Sequence, residues 1–376
     1  MNVEQYFKEY LLRYQNYKSY WNYEDGCVLI GCKQMYEATG DIQYLEFILN
    51  YLNEFIDEDG TIHHYELEQF NIDSINAGKI LFYIYEVTKE EKYKKAIEFL
   101  MERLRDHPRT KDHNFWHKSI YPYQVWLDGL YMAQPFYMEY ETKFHQKENY
   151  NDIVSQFRNV RKFLFDENKQ LYYHGYDEAR VQPWCDKVTG RSKNFWLRSM
   201  GWYLMALIDT IDAMSIEIYE NYRELASLLK EAIQGILQYQ DPKTKLFYQV
   251  IDHSQTEGNY LETSGSAMVG YAILKGCRLN LLSKEKYQQT GIEVVEGIIG
   301  NKFLQNGETY ELCDICHVAG LGPGETRDGS VAYYLSEPRV SEDAKGVGPF
   351  MMAYAQLLLT KEKAAEIKGG CRGDKE

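Results

Sequence analysis

A short recurring motif constrains the fold of this chain more than any other feature of its sequence. In each copy, a short stretch with one to four charged residues precedes a tyrosine, and an apolar run at helical spacing follows it. The five tyrosines are Tyr44, Tyr93, Tyr150, Tyr222 and Tyr287. Segments rich in small and aromatic residues lie about one helix length before each copy, and a sixth closes the chain; they span 26–35, 73–83, 126–136, 199–207, 264–274 and 346–357. This pattern predicts a repeat of helix pairs, with a period of roughly 50–70 residues.

The two kinds of helix differ in the distribution of their polar residues. The small-residue segments are apolar on nearly all faces, whereas the tyrosine-motif helices carry Lys and Glu on one face. We therefore predict an all-α (α/α)6 barrel, with an open solenoid as the alternative. No Pro/Ser-rich linker interrupts the repeat, so residues 1–376 are expected to form a single domain with a frayed tail at 361–376. The β-prone stretches 171–174 and 246–249 predict short hairpins on one rim.

Composition and charge exclude several classes of function. The net charge of −14, with no basic stripe to offset it, argues against a nucleic-acid partner. No apolar run approaches the roughly 18 residues of a membrane span, and the N-terminus lacks a signal-peptide core, so we expect a cytoplasmic location. The 34 tyrosines and 6 tryptophans suit a surface that binds sugar rings, although an aromatic-rich core is the alternative for any one tyrosine.

The string from Cys313 to His317 matches the haem-attachment pattern C-x-x-C-H. Covalent haem attachment needs an export route that this N-terminus does not encode, and one C-x-x-C with one histidine supplies at most three zinc ligands. We interpret the string as ordinary loop thiols and expect neither a metal nor another cofactor. The odd count of 7 cysteines, without regular spacing, also argues against a disulfide framework.

The predicted barrel brings the N-terminal ends of its inner helices together around a central funnel. Asp73 and Asp128 stand at two of these helix starts, and paired carboxylates are typical of glycosidic acid/base chemistry. Helix N-capping is the alternative role for both. Polar and aromatic residues cluster near the same rim: His113, Trp116, His117, Tyr121, Tyr123, Trp126, His174, Trp196, Arg198 and Trp202. Carboxylates, aromatic rings, an imidazole and a guanidinium on one rim predict a pocket for an acidic sugar.

Four strings in the sequence resemble glycoside hydrolase family 105, the unsaturated rhamnogalacturonyl hydrolases. They are Gln124–Phe136, Arg198–Tyr203, Glu262–Met268 and Gly346–Phe350, and the Trp-Leu-Asp-Gly run at 126–129 is the most specific part. The resemblance extends over about residues 26–359 and implies the same (α/α)6 barrel that the repeats predict.

The resemblance also implies roles for individual residues. Asp128 matches the general acid/base of the family, and Asp73 matches a second carboxylate that holds ring hydroxyls and positions water. Substrate-binding positions are matched by His174, Arg198 and Trp202, and aromatic wall positions by Trp126 and Trp196.

The reaction implied by the resemblance is an unusual hydrolysis. Lyases that act on pectin leave a C4=C5 double bond on the uronic acid at the non-reducing end, and this family hydrates that enol ether. An acid protonates C4, water adds at C5, and the resulting hemiketal collapses and releases the next sugar. Because the proton goes to carbon, the acid must keep its proton near neutral pH, which suits a desolvated Asp128 beside a second carboxylate. Arg198 and His174 are expected to offset the charge of the substrate.

The expected substrate is a disaccharide or short oligosaccharide that carries unsaturated galacturonate on rhamnose. The first alternative is the same chemistry on unsaturated glucuronyl sugars from glycosaminoglycan, ulvan or arabinogalactan. The sequence does not separate the two substrates, because the leaving sugar would be bound by variable rim loops such as 109–117 and 320–329. A sugar isomerase and a helical-repeat scaffold that binds a peptide are more distant alternatives. The oligomeric state is not indicated.

Overall fold

A computed structural model describes residues 1–15 and 19–370 of the chain. Its α-helices are α1 (Val3–Arg13), α2 (Tyr23–Thr39), α3 (Ile42–Phe55), α4 (Lys79–Thr88), α5 (Glu91–Arg105), α6 (Leu127–Phe144), α7 (Tyr150–Leu164), α8 (Leu197–Ala213), α9 (Tyr219–Ile236), α10 (Thr263–Arg278), α11 (Lys284–Asn301), α12 (Val331–Ser336) and α13 (Ala344–Gly370). Short 3-10 helices occupy Leu67–Gln69, Ile72–Gly78 and Leu237–Tyr239, and the second runs directly into α4.

Two concentric rings of helices form the body of the described chain, so the predicted (α/α)6 barrel is confirmed. The inner ring consists of α2, α4 with its preceding 3-10 helix, α6, α8, α10 and α13, and each packs against the next. Helix α13 packs against α2, which closes the ring and rules out the open solenoid. The outer ring consists of α1, α3, α5, α7, α9 and α11. None of the helices described has the length and apolar character needed to cross a membrane.

The tyrosine motif marks the start of five outer helices because its tyrosine packs into the core. Tyr44, Tyr93, Tyr150 and Tyr287 are buried, and Tyr222 is half-buried against the same core. Most charged residues of the motif lie at the solvent side of the first turn, whereas Lys92 is buried and pairs with Glu58 and Glu90. Acidic residues there favour the positive end of the helix dipole, as Glu91 does in α5.

The small residues of the inner helices allow backbones to meet inside the barrel. A Cβ added to Gly348 of α13 would lie 2.6 Å from the backbone carbonyl of Cys27 in α2. A Cβ added to Gly31 would lie 3.0 Å from the carbonyl oxygen of Gly348. Helices α2 and α13 therefore close the ring through direct backbone contact, which any larger side chain at these positions would prevent.

Four antiparallel two-stranded sheets lie outside the helices. They pair β1 (Gln124–Trp126) with β4 (Gly175–Asp177), β2 (Phe165–Asp166) with β3 (Leu171–Tyr172), β5 (Phe303–Asn306) with β6 (Thr309–Leu312), and β7 (Ile315–Cys316) with β8 (Arg339–Val340). The hairpin predicted around 171–174 is thus present as β2–β3, with His174 just beyond it.

The hairpin predicted at 246–249 is present only as a short antiparallel pairing without a full strand: Tyr248 bridges Leu261, and the N–H of Gln249 donates to the carbonyl of Tyr260 at 2.8 Å. The carbonyl of Gln249 accepts the N–H of Leu197, the first residue of α8, at 3.0 Å. The carbonyl of Phe247 accepts the N–H of Glu262, which precedes α10, at 2.9 Å. The segment therefore ties two inner helices together at the rim. At the chain end, α13 includes 361–370 of the predicted tail, and 371–376 lie outside the described residues.

Candidate active site

The inner helices converge on a cavity of about 430 Å³ at one end of the barrel. The residue in second position of an inner helix lines this cavity in five of six cases: Glu24, Asp73, Asp128, Arg198 and Lys345, with Asp73 counted in the 3-10 helix that leads into α4. The sixth, Ser264, accepts a hydrogen bond from Arg198. Because the N-terminal end of a helix carries a partial positive charge, this arrangement favours an anionic ligand.

Asp73 is buried in a cluster with an imidazole and an ammonium group. Its carboxylate oxygens lie 3.4 Å from Nε2 of His117 and 2.8 Å from Nζ of Lys118. Burial lowers the pKa of His117 to about 4, so this imidazole is neutral near neutral pH. The side chain of Asn71 caps the helix by accepting the N–H of Asp73 at 3.1 Å, so N-capping is not the role of the Asp73 carboxylate.

Asp128 faces the cavity from the first turn of α6. The residue before that helix is Trp126, in extended conformation, and no side chain caps the helix. An Asp128 carboxylate oxygen lies 3.2 Å from Nε2 of His174, and Nδ1 of His174 lies 2.9 Å from the hydroxyl of Tyr334. His174 is fully buried and is not part of the cavity lining. The structure therefore places His174 behind Asp128, and direct contact of His174 with substrate stays a prediction.

Three tryptophans supply the apolar surface of the cavity, as the sequence predicts for Trp126, Trp196 and Trp202. Trp126 stacks on His117 with ring centroids 4.2 Å apart, and Trp202 stacks on Tyr131 at 5.0 Å. The indole N–H groups of Trp126 and Trp196 donate to Gln124 and Gln249, each at 3.1 Å. These bonds and stacks fix the ring orientations, so the cavity has rigid aromatic walls.

Arg198 is held in place by buried protein groups. Its Nε donates to the hydroxyl of Ser264 at 2.8 Å, and Nη2 donates to the carbonyl of Cys316. Nη2 also lies 3.5 Å from the fully buried carboxylate of Glu262. Glu262 in turn accepts the N–H of Cys316 at 3.0 Å. The charge of Arg198 is therefore balanced within the protein, although the residue lines the cavity.

The C-x-x-C-H string contributes to this arrangement through the Cys316 backbone, which binds Arg198 and Glu262, and also through side chains. The Cys316 sulfur accepts a hydrogen bond from Gln249 at 3.0 Å, and the His317 ring lies 3.4 Å from a carboxylate oxygen of Asp343. Across the described residues, no group of three histidine, cysteine, aspartate or glutamate side chains is placed to hold a metal ion. The string thus connects the rim to Arg198, a link that spacing along the sequence does not reveal.

Four cationic side chains line the cavity, and three of them have carboxylate partners. Lys118 pairs with Asp73 at 2.8 Å, Arg198 with Glu262 at 3.5 Å, and Lys345 with both Glu24 and Asp343 at 2.9 Å. The fourth, Arg327, has no ion-pair partner within the described part of the chain. No role was predicted for Lys118, Arg327 or Lys345, although Lys345 stands in the second position of an inner helix, as Asp128 does.

Comparison with known proteins assigns the chain to a family. The model of Glycosyl Hydrolase Family 88 matches residues 2–361. A solved structure of a family 105 glycoside hydrolase from C. acetobutylicum ATCC 824 is 42% identical, with a TM-score of 0.90 over 95% of this chain and 99% of that one. A protein of Agrobacterium fabrum strain C58 is 39% identical over 239 residues, which is 61% of this chain and 99% of that protein.

A more distant relative carries a name that describes an activity. The unsaturated rhamnogalacturonyl hydrolase YesR of Bacillus subtilis strain 168 is 23% identical over 317 residues, covering 81% of this chain and 87% of that protein. The resemblance to family 105 predicted from the sequence strings is confirmed. The chain, matched almost end to end by the family model and closely similar in fold to a family 105 structure, belongs to the glycoside hydrolases of families 88 and 105.

Proposed function

We propose that this glycoside hydrolase hydrates the C4=C5 double bond of an unsaturated galacturonyl residue at the non-reducing end of rhamnogalacturonan fragments. From the disaccharide it releases 5-keto-4-deoxyuronate and rhamnose. The observation that carries the proposal is that Asp73 and Asp128 line one cavity together with three tryptophans. The name of the B. subtilis relative supports galacturonyl-rhamnose as the substrate.

In the proposed reaction, Asp128 donates its proton to C4, and positive charge develops at C5 and the ring oxygen. Water attacks C5 and loses a proton to the Asp128 carboxylate, which restores the acid. The product is a hemiketal at C5, which opens to a ketone and leaves a hemiacetal at C1. Collapse of that hemiacetal breaks the bond between C1 and the leaving oxygen, so one water is consumed for each glycosidic bond broken.

The other carboxylate serves to orient substrate and water rather than to transfer the proton. Asp73 is paired with Lys118 at 2.8 Å, which stabilises its charged form and leaves it an acceptor for ring hydroxyls. Asp128, in contrast, has no cationic Lys or Arg partner among the described residues and contacts His174. Two carboxylates in unequal surroundings are the usual basis for separate acid and binding roles.

The net charge of −14 does not oppose an acidic substrate at close range. Helix N-termini of the inner ring point toward the cavity, and their dipoles attract an anion within the first turn. At physiological ionic strength the long-range field of the surface charges is screened beyond about 8 Å. The local field in the cavity therefore determines whether a uronate binds.

The test is the Asp128→Asn protein, assayed by loss of the ultraviolet absorbance of the conjugated double bond. We expect turnover to fall by about 10²–10⁴-fold, the usual contribution of a general acid, while the protein stays folded. Asp106→Asn, an exposed change at the end of α5, is the matched control and should keep full activity. Near-normal activity of Asp128→Asn contradicts the assignment.

A panel of unsaturated disaccharides assigns the leaving sugar. Galacturonyl-rhamnose should be consumed with the highest kcat/KM. Preferential consumption of glucuronyl disaccharides would preserve the reaction and overturn the rhamnogalacturonan assignment.

A further inference from the structure

We propose that Arg327 binds the carboxylate of the unsaturated uronate and makes the enzyme selective for the free acid over its ester. This inference rests on the proposed function and adds a specificity-determining residue to it. A uronate brings one negative charge into a cavity in which nearly every cation is already neutralised. The residue that accepts this charge is therefore identified by the ion pairs of the lining.

The three other cations are committed to the protein. The Lys345 ammonium has three protons, and carboxylate oxygens lie at 2.9 Å (Glu24) and at 2.9 and 3.0 Å (Asp343). The Arg198 guanidinium donates from all three of its nitrogens to protein groups. Lys118 is bound to Asp73, the carboxylate that the substrate hydroxyls need as an acceptor. Each of these cations already balances a carboxylate of the protein, so a bound uronate would have to share its charge with that carboxylate.

Arg327 lies where the reacting end of the sugar is expected. A Cβ built on Gly320 would be 3.5 Å from Nη1 of Arg327 and also 3.5 Å from the ring of Trp126, so these two groups are neighbours. Trp126 immediately precedes the helix that carries Asp128. The guanidinium therefore lies near Trp126 in the cavity that Asp128 also lines, where it can reach a carboxylate next to the reacting double bond.

The loop that carries Arg327 is anchored at both ends, which holds the guanidinium at the cavity. The Tyr333 hydroxyl donates to the carbonyl of Gly320 at 2.6 Å, and Asn194 donates to the carbonyl of Gly329 at 2.8 Å. Gly322 leaves space for the arginine stem, since a Cβ there would lie 2.9 Å from Cδ of Arg327. The planar guanidinium of an arginine suits bidentate binding of a carboxylate.

The experiment compares unsaturated galacturonyl-rhamnose with its C6 methyl ester, on wild type and on Arg327→Gln. The ester keeps the ring and the double bond but removes the charge. We expect Arg327→Gln to lower kcat/KM for the acid by about 10–100-fold, the range for a charge-assisted hydrogen bond, and for the ester by less than about 3-fold. Arg158→Gln, on outer helix α7, removes a similar charge outside the cavity and should change neither value.

A binding measurement covers the case in which the ester turns over too slowly to assay. Calorimetry with the Asp128→Asn background should show that Arg327→Gln weakens binding of the acid and leaves binding of the ester unchanged. Equal losses for acid and ester, or no loss for either, overturn the role of Arg327 while wild-type activity stands. An inactive wild type instead contradicts the proposed function, so the two failures are distinguishable. The Arg327→Lys variant should recover part of the affinity for the acid only.

Discussion

Substitution of Glu262 by glutamine tests how the cavity is held together. The carboxylate is fully buried and caps α10 by accepting the backbone N–H groups of Ser264 at 3.1 Å and Gly265 at 2.7 Å. It also accepts the N–H of Cys316 at 3.0 Å and lies 3.5 Å from the guanidinium of Arg198. Glu262→Gln keeps the shape of the side chain, but it removes the charge and turns an NH2 group toward these donors.

The magnitude follows from the burial of both partners. Removing one member of a buried ion pair costs about 3–5 kcal/mol, because the other charge stays buried and uncompensated. Arg198 is only 1% exposed, so solvent replaces little of the lost carboxylate. We therefore expect the free energy of unfolding to fall by about 4 kcal/mol, a large part of the roughly 5–15 kcal/mol typical of a folded protein.

Urea unfolding of Glu262→Gln, Arg198→Met and the double variant measures this effect. Glu293→Gln is the matched control: it breaks a half-exposed pair with Lys245 and should change stability by less than about 1 kcal/mol. The double variant should lose at least about 2 kcal/mol less than the sum of the single changes, since it leaves no unpaired charge. Strict additivity, or a Glu262→Gln loss no larger than the control, would refute the reasoning.

Three further predictions concern the barrel and the group behind the proposed acid. Burial lowers the pKa of Lys79 to about 7, so between about pH 7 and 10 the unfolded chain binds more protons than the folded one. In urea titrations, the stability of the wild type should therefore rise with pH relative to Lys79→Met, by up to about 1.4 kcal/mol per pH unit. Parallel curves of stability against pH for the two proteins would contradict this. Gly348→Ala should lower stability by about 1–3 kcal/mol in thermal unfolding because its Cβ would meet the Cys27 backbone at 2.6 Å, whereas Gly300→Ala, with open space around it, should not be destabilising. His174→Gln should lower kcat by roughly 10²-fold with KM changed less than about 3-fold, because His174 contacts the proposed acid and not the cavity; in steady-state kinetics, a raised KM with unchanged kcat would instead indicate direct substrate binding.

The barrel was predictable because its signal is local and repeated. A buried tyrosine at the start of an outer helix, such as Tyr93, and a glycine at a helix contact, such as Gly348, each leave a mark in the sequence. Second positions of inner helices are also fixed by local sequence, so Asp73, Asp128 and Arg198 were identified as rim residues, and the structure brings all three to one cavity.

The remaining site residues depend on contacts between distant segments. Lys118 reaches Asp73 from a loop, and Arg327 reaches the cavity from another loop about 200 residues further along the chain. The segment 246–249 has the composition of a strand, and its backbone pairs with residues 260–262 before α10 and with Leu197 at the start of α8. The local sequence predicted the extended conformation but not these partners. The cytoplasmic location, the single domain and the absence of a cofactor stay predictions.

The most direct test of the central claim is an ultraviolet assay of the wild-type protein with unsaturated galacturonyl-rhamnose. The absorbance of the conjugated C4=C5 bond should fall, with one rhamnose released for each double bond lost. An absorbance that stays flat in a folded sample, with this substrate and with unsaturated glucuronyl disaccharides, would contradict the proposed hydration chemistry.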